Sequence, residues 1–379
     1  MCACARTGAG RTVRLPFDSG DREAARVPFL KAAGFAAARR EPLAGDASTR
    51  RYERLHPASG PPLIFMDQPP AAETQPCPPD ADPSERAALG YNALARLAAG
   101  RVEAFVACAG WLRGLGLSAP RVIHADPAAG FAVLEDLGDD LFARLTEAGA
   151  DEAPLYDGAI DALARLHAQT PPSMLNADGA AWPLLTYDNL ALKTGGDLLP
   201  EWLPKFAPAM ALGDTALAEW EAIWAPVRAR GEAGASVFCH RDYHAENLLW
   251  LPERAGAARV GMIDFQDALK AHPAWDLSML LHDARREVSA ERETAALTRY
   301  FALRPEADRE AMLADFHALG ALNVVRIIGI FSRLVVRDGK PRYAAFMPRL
   351  WRYLDRCLQP PAPAGLGAWL AAHAAVARS

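Results

Sequence analysis

The sequence predicts an α+β protein of two lobes: a small N-terminal lobe on a mostly antiparallel sheet, and a larger, mainly helical C-terminal lobe. Three observations carry this. Short apolar runs bounded by Gly and Pro recur through residues 25–134, as strands do. After Glu135-Asp136-Leu137-Gly138 the apolar spacing turns helical. At 379 residues the chain is long enough for two lobes with a substantial core. Hydrophobic residues make up 51% and charged residues 23%, ordinary for a soluble globular protein. The net charge of −5 gives no reason to expect nucleic-acid binding.

Residues 1–22 are rich in Gly, Arg and Ser without periodicity. They predict a disordered leader, and they lack the apolar stretch of a secretory signal. Phe29 to Phe35 predicts a short helix ending near Gly34. Strands follow at Glu41–Ala44, Arg51–Leu55 and Leu63–Met66, with a turn at Gly45-Asp46-Ala47-Ser48 and a Pro-rich loop over 67–84. Residues 84–115 read as helical, and Phe131–Leu134 as a further strand. The N-terminal lobe is thus expected over 23–134, a hinge over 135–138 and the C-terminal lobe over 139–379.

In that second lobe, Leu155, Ile160, Leu163 and Leu166 share roughly one helical face. Residues 171–200, rich in Pro, Gly and Asn, predict an excursion able to cap a pocket. Trp220–Arg230 predicts a helix, Val237–Cys239 and Val260–Ile263 short strands, and Leu277 onward mainly helix. The apolar tract Phe316–Val336 is interrupted by His317, Asn323, Arg326 and Arg333, which makes it a core helix and not a membrane span. The six cysteines (Cys2, Cys4, Cys77, Cys108, Cys239, Cys357) read as reduced thiols of a cytoplasmic protein.

Two strings carry chemistry. They are His240-Arg241-Asp242-Tyr243-His244-Ala245-Glu246-Asn247 and Ile263-Asp264-Phe265-Gln266-Asp267. The first reads as the protein-kinase pattern H-R-D-L-x-x-x-N, whose Asp takes the acceptor hydroxyl's proton and whose Asn holds a magnesium ion. Moving a γ-phosphoryl group concentrates negative charge, so cations must neutralise it while a carboxylate orients the incoming oxygen. Mg²⁺ prefers oxygen ligands, usually one or two carboxylates plus the phosphates. Asp242 is therefore the candidate catalytic residue, Asn247 and Asp264 are candidate Mg²⁺ ligands, and ATP is the expected donor.

Other residues admit plainer readings. His240, Asp242 and His244 alternate like a metal cluster, but no fourth ligand at zinc spacing accompanies them. Gly45, Asp46, Ala47 and Ser48 form either an ordinary hairpin turn or a loop whose backbone N–H groups approach nucleotide phosphates, helped by the bare Gly45. Glu135, Asp136 and Leu137 serve as a linker and also as the place where adenine would meet backbone donors and acceptors. Asp276 is expected either to cap the following helix or to brace the catalytic loop. Asp267 is open between support and acceptor contact. His167 reads as a satisfied core histidine.

At these motifs the chain resembles the aminoglycoside-phosphotransferase superfamily of protein-kinase-like small-molecule kinases, over residues 25–370. A narrower resemblance is to the bacterial N-acetylmuramate/N-acetylglucosamine anomeric kinases of cell-wall recycling. It rests on Leu43–Ser48 with Arg50-Arg51-Tyr52, on Phe65–Pro70 and Leu134–Asp139, and on the tail strings Gly329–Leu334, Arg337–Tyr343 and Pro348–Leu354. The resemblance implies a two-lobed protein-kinase-like fold, dependence on ATP and Mg²⁺, and a small amino-sugar acceptor beneath residues 171–200. It implies no nucleic-acid or membrane partner, and a monomer. Alternatives are the same fold acting on an aminoglycoside, choline-like or amino-alcohol acceptor, or a non-catalytic nucleotide-binding protein. Two departures stand out: Met66 occupies the third-strand position where the superfamily places a Lys, and Leu322-Asn323 stands where the branch often has Gln-Arg.

Overall fold

A computed structural model describes residues 19–43, 50–69, 75–359 and 363–378. The chain forms two compact units: Met1–Pro70 with Ile123–Asp136, and Ala71–Val122 with Leu137–Ser379. The division at Asp136/Leu137 lies inside the expected hinge. The expected N-terminal lobe over 23–134 needs correction, because residues 71–122 pack with the second unit.

The first unit opens with helix α1 (Ser19–Ala32) and holds strands β1 (Arg39–Pro42), β2 (Arg51–His56), β3 (Leu63–Asp67), β4 (Val122–Asp126) and β5 (Phe131–Glu135). They form one sheet in the order β1-β2-β3-β5-β4, antiparallel from β1 to β5. The pleat sends Leu55, Leu63, Phe65, Phe131 and Val133 to one face, where Phe29 and Leu30 of α1 cover them. The Phe29 ring lies 5.8 Å from Phe65 and 5.2 Å from Phe131. Strand β4 was not anticipated from the sequence.

Helix α1 is longer than Phe29–Phe35 predicts, and Ser19–Arg22 are helix and not leader. The reason lies in β3. Asp67, 1% exposed, accepts from Arg22 Nε at 2.8 Å and from Arg26 Nε at 2.9 Å. One helical turn separates the two arginines, so both guanidiniums reach the same carboxylate. Breaking a buried pair of this kind costs ~3–5 kcal/mol, which is enough to hold an otherwise polar first turn in place.

The second unit contains α2 (Pro83–Leu89), α3 (Tyr91–Leu94), α4 (Val102–Gly114), α5 (Phe142–Glu147) and α6 (Glu152–His167), then the hairpin β6 (Met174–Ala177) and β7 (Ala180–Pro183). It continues with α7 (Asn189–Gly196), α8 (Leu198–Phe206), α9 (Asp214–Ala233), β8 (Val237–Cys239), β9 (Leu248–Trp250), β10 (Val260–Met262) and β11 (Leu269–Ala271). The helices α10 (Ala274–Leu281), α11 (Ala290–Leu303), α12 (Arg309–Val336), α13 (Met347–Cys357), α14 (Leu366–His373) and α15 (Ala375–Arg378) complete it. The stretch 84–115 is three helices, because Gly90 takes φ +90° and ends α2. Helix α4 is buried almost all round and packs on β6 and β7, which explains why residues 71–122 join this unit.

Residues 171–200 are largely regular structure. They form the β6–β7 hairpin, α7 and the start of α8, with Leu192 and Leu199 buried. Glycines permit this packing: a Cβ on Gly329 of α12 would stand 2.5 Å from the Leu199 amide nitrogen, so α8 lies directly on α12. Helix α12 is the one described helix long and apolar enough to cross a membrane. It is buried without a break from Ala318 to Gly329 under α8 and α10, as a core helix is.

Candidate active site

Two short antiparallel ribbons position the chemistry. β8 pairs with β11, and β9 pairs with β10. Loop 240–247 links β8 to β9, and loop 263–268 links β10 to β11, so both motif strings cross between the same two ribbons. A hydrogen bond from Ile263 N to Asn247 O at 3.1 Å joins the loops directly. Arg241 at φ +79° and Asp264 at φ +64° both hold left-handed backbone. For residues with a Cβ that costs ~1–3 kcal/mol each, and it persists only where surrounding contacts enforce it.

Asp276 supplies much of that enforcement. Its carboxylate accepts from the amides of His240 at 2.6 Å and Arg241 at 2.9 Å, and from the Cys239 thiol at 3.2 Å. Burial pushes Asp276 above the usual carboxylate range, while His240 and its other partners pull the other way. Of its two sequence readings, bracing of the catalytic loop is the one the structure bears out; the α10 N-cap is Pro273, without a side-chain cap. Arg241 donates to the carbonyls of Ala95 at 3.0 Å and Arg96 at 3.3 Å, and lies 5.0 Å from the Tyr187 ring centre. Asp267 accepts from the Ala98 amide at 2.6 Å, which makes it a support. Burial raises its pKa against the opposing pull of Arg241.

The three chemical residues fall as follows. Asp242 is half-buried in the loop, and its backbone oxygen accepts from Asn247 Nδ2 at 2.9 Å. That bond fixes the amide flip and leaves Asn247 Oδ1 as the atom available to a cation. Asp264 Oδ1 accepts from Gln266 Nε2 at 3.0 Å, which steadies the carboxylate. Asn247 and Asp264 thus offer hard oxygen donors of the kind Mg²⁺ takes alongside phosphate oxygens. Among the described residues no group of three His, Cys, Asp or Glu side chains is assembled for a metal, which disfavours the zinc reading. His240 is fully buried against Tyr243 and Phe265, and burial holds both it and His244 below the ordinary imidazole pKa.

The nucleotide-side expectations are less complete. Gly45, Asp46, Ala47 and Ser48 lie outside the described residues. Glu135 ends β5 opposite Leu63. The Asp136 carboxylate accepts from Arg54 Nε at 2.6 Å. Leu137 packs a methyl where Gly261 leaves room, and Gly138 at φ +88° turns the chain. Met66 is buried in the sheet, and Asp67 is occupied by Arg22 and Arg26. Arg241 and Asp276 hold the loop through tertiary contacts, whereas Gln266 reaches Asp264 from two residues away.

A strained loop carrying Asp242, with Asn247 and Asp264 beside it in an α+β fold, defines a phosphotransferase of the kinase type. Residues 39–314 match the phosphotransferase enzyme family (APH), and the chain belongs to that family. It is 70% identical to a Caulobacter vibrioides protein named N-acetylmuramate/N-acetylglucosamine kinase, across 93% of this chain and 96% of the relative. A Pseudomonas aeruginosa protein of the same name is 31% identical, across 87% of each chain. Among solved structures, the choline kinase LicA of Streptococcus pneumoniae superposes with a TM-score of 0.52 at 14% identity, covering 88% of this chain and 99% of that one. The last similarity bears on the fold alone, and the fold is the kinase-like α+β class the sequence predicts.

Proposed function

We propose that this protein transfers the γ-phosphoryl group of ATP to the anomeric hydroxyl of N-acetylmuramate and/or N-acetylglucosamine, yielding the sugar 1-phosphate for reuse in cell-wall recycling. The observation that carries the reading is the 70% identity, over nearly the whole chain, to a relative named for both sugars. The presence of Asp242, Asn247 and Asp264 in one joined pair of loops supports catalysis over mere nucleotide binding. A choline-like or aminoglycoside acceptor is not favoured. The reading places the protein in the cytoplasm, where ATP is abundant, as a monomer.

In this mechanism Asp242 orients the C1 hydroxyl and takes its proton as the new O–P bond forms and the bond to the ADP oxygen breaks. An anomeric hydroxyl is more acidic than an ordinary alcohol, so the demand on the carboxylate is modest. Asn247 Oδ1 and the Asp264 carboxylate would hold Mg²⁺, which when bound neutralises phosphate charge. Gly45–Ser48 would cover the phosphates through backbone N–H groups, and the backbone at Glu135–Leu137 would hold the base.

The test is a ³¹P NMR and mass assay with Mg·ATP and each sugar. An acid-labile sugar 1-phosphate is expected, and Asp242→Ala should lower turnover by ~10²–10⁴-fold while sparing nucleotide binding. Phosphorylation of choline or an aminoglycoside in place of either sugar would sink the reading.

A further inference from the structure

Arg326 lies mid-way along α12 and is nine-tenths buried. Its Nη1 donates to Asn323 Oδ1 at 3.0 Å, one turn back on the same helix. That neutral amide is its one hydrogen-bond partner among the described residues, and no described carboxylate pairs with it. A buried cation without a counter-charge is costly and calls for an anion. By contrast, Arg86 and Arg96 share Asp188, and Arg228 pairs with Glu221.

The surroundings of Arg326 share its shortage. Its guanidinium lies 5.8 Å from the Trp275 ring centre, and Tyr187 meets the same ring at 4.7 Å. The Trp275 Nε1 and the Tyr187 hydroxyl are buried and also lack hydrogen-bond partners among the described residues. Three donors with unmet capacity therefore converge around one indole. They adjoin the catalytic loop by two routes: Arg241 stacks over Tyr187, and Asp276, next to Trp275, holds the His240 and Arg241 amides. Gly195 makes room for the side chain, since a Cβ there would stand 3.1 Å from Arg326 Cδ.

The two sugars of the proposed reaction differ by one charged group, the lactyl carboxylate that N-acetylmuramate carries on O3. Resting on that reading, we propose that Arg326, held by Asn323 over Trp275, binds this carboxylate and sets the preference between the two acceptors. The same cation would repel choline or an aminoglycoside, whose charge is positive.

The experiment measures kcat/KM for both sugars with wild type, Arg326→Gln, Arg326→Lys and Arg333→Gln. Arg333 sits two turns along α12, partly exposed over Tyr91, and serves as the control. Arg326→Gln should lower N-acetylmuramate kcat/KM ~10–100-fold, chiefly through KM, and leave N-acetylglucosamine within about twofold. Arg326→Lys should recover part of the loss, and Arg333→Gln should leave the ratio unchanged. Should the Arg326 variants fail to fold, wild type is compared on N-acetylmuramate and its uncharged methyl ester, where a similar drop is expected. Equal loss on both sugars, no loss on either, or a ratio shifted by Arg333→Gln alone would overturn the assignment. Equal use of acid and ester would do the same. If wild type phosphorylates neither sugar, the functional reading itself has failed and the assignment falls with it, a result separable from all of these.

Discussion

Asp276 shows how much of the shape of the loop carrying Asp242 is held by a neighbour outside that loop. Its carboxylate satisfies two buried amides and a thiol on the strand and loop that lead into Asp242. Asp276→Ala would leave those donors unpaired at a buried position. The expected cost is about 2–5 kcal/mol of stability, with turnover reduced beyond what the loss of folded protein explains. Denaturant midpoint and single-turnover rate, measured on the same preparation, check this; an unaltered rate would contradict the bracing role. Asp242, Asn247 and Asp264 were legible in the sequence as candidates because the proposed chemistry would confine them to short strings with fixed spacing. The Arg241–Ala95 bond was not, since its partners are 146 positions apart.

Helix α12 shows the same division at the scale of elements. Its apolar run and its four polar interruptions announce a buried helix, and the structure buries it. Which elements lie against it depends on glycines whose purpose is invisible in sequence. Gly329 lets α8 approach so closely that an added Cβ would stand 2.6 Å from Leu198 Cβ, whereas a Cβ on Gly367 in α14 would meet nothing within 4 Å. Gly329→Ala should therefore destabilise the fold by ~1–3 kcal/mol or more through overpacking. Gly367→Ala, in a solvent-facing helix position, should stabilise by ~0.4–1 kcal/mol through the unfolded chain. Thermal melts of the two variants side by side should show opposite signs. Residues 171–200 proved more regular than their Pro and Gly content suggested for a related reason: these residues mark breaks in regular structure but do not say whether the pieces fold inward.

Across the whole molecule, burial sets a pH dependence. Desolvation lowers the pKa of His167 to about 3, and it lowers His240 and His244 as well. An unfolded chain takes up these protons near pH ~6.5, whereas the folded protein resists them until well below that. The stability contribution is thus complete above about pH 6.5 and is lost as pH falls towards 3, by up to ~1.4 kcal/mol per pH unit for each histidine. Asp267 and Asp276, shifted upward, act in the opposite sense, so a single-residue comparison decides the matter. Melting temperature from pH 7 to 4 should fall less steeply for His167→Gln than for wild type. Parallel slopes would remove His167 from the account. Its Nδ1 lies 2.9 Å from the Tyr300 hydroxyl, as a core histidine's partner should.

By itself the sequence determined the α+β class, most strands and helices, and the candidate residues proposed for the chemistry. Backbone preference, apolar period and motif spacing are all encoded within a few neighbouring residues. Tertiary structure alone decided that 71–122 joins the second unit, that Asp67 anchors α1 in a sheet lacking the third-strand Lys, and that Arg326 is left without a counter-charge. Those outcomes depend on which distant groups share a low-dielectric interior, where a charge must find a partner or remain poised for a ligand that brings one.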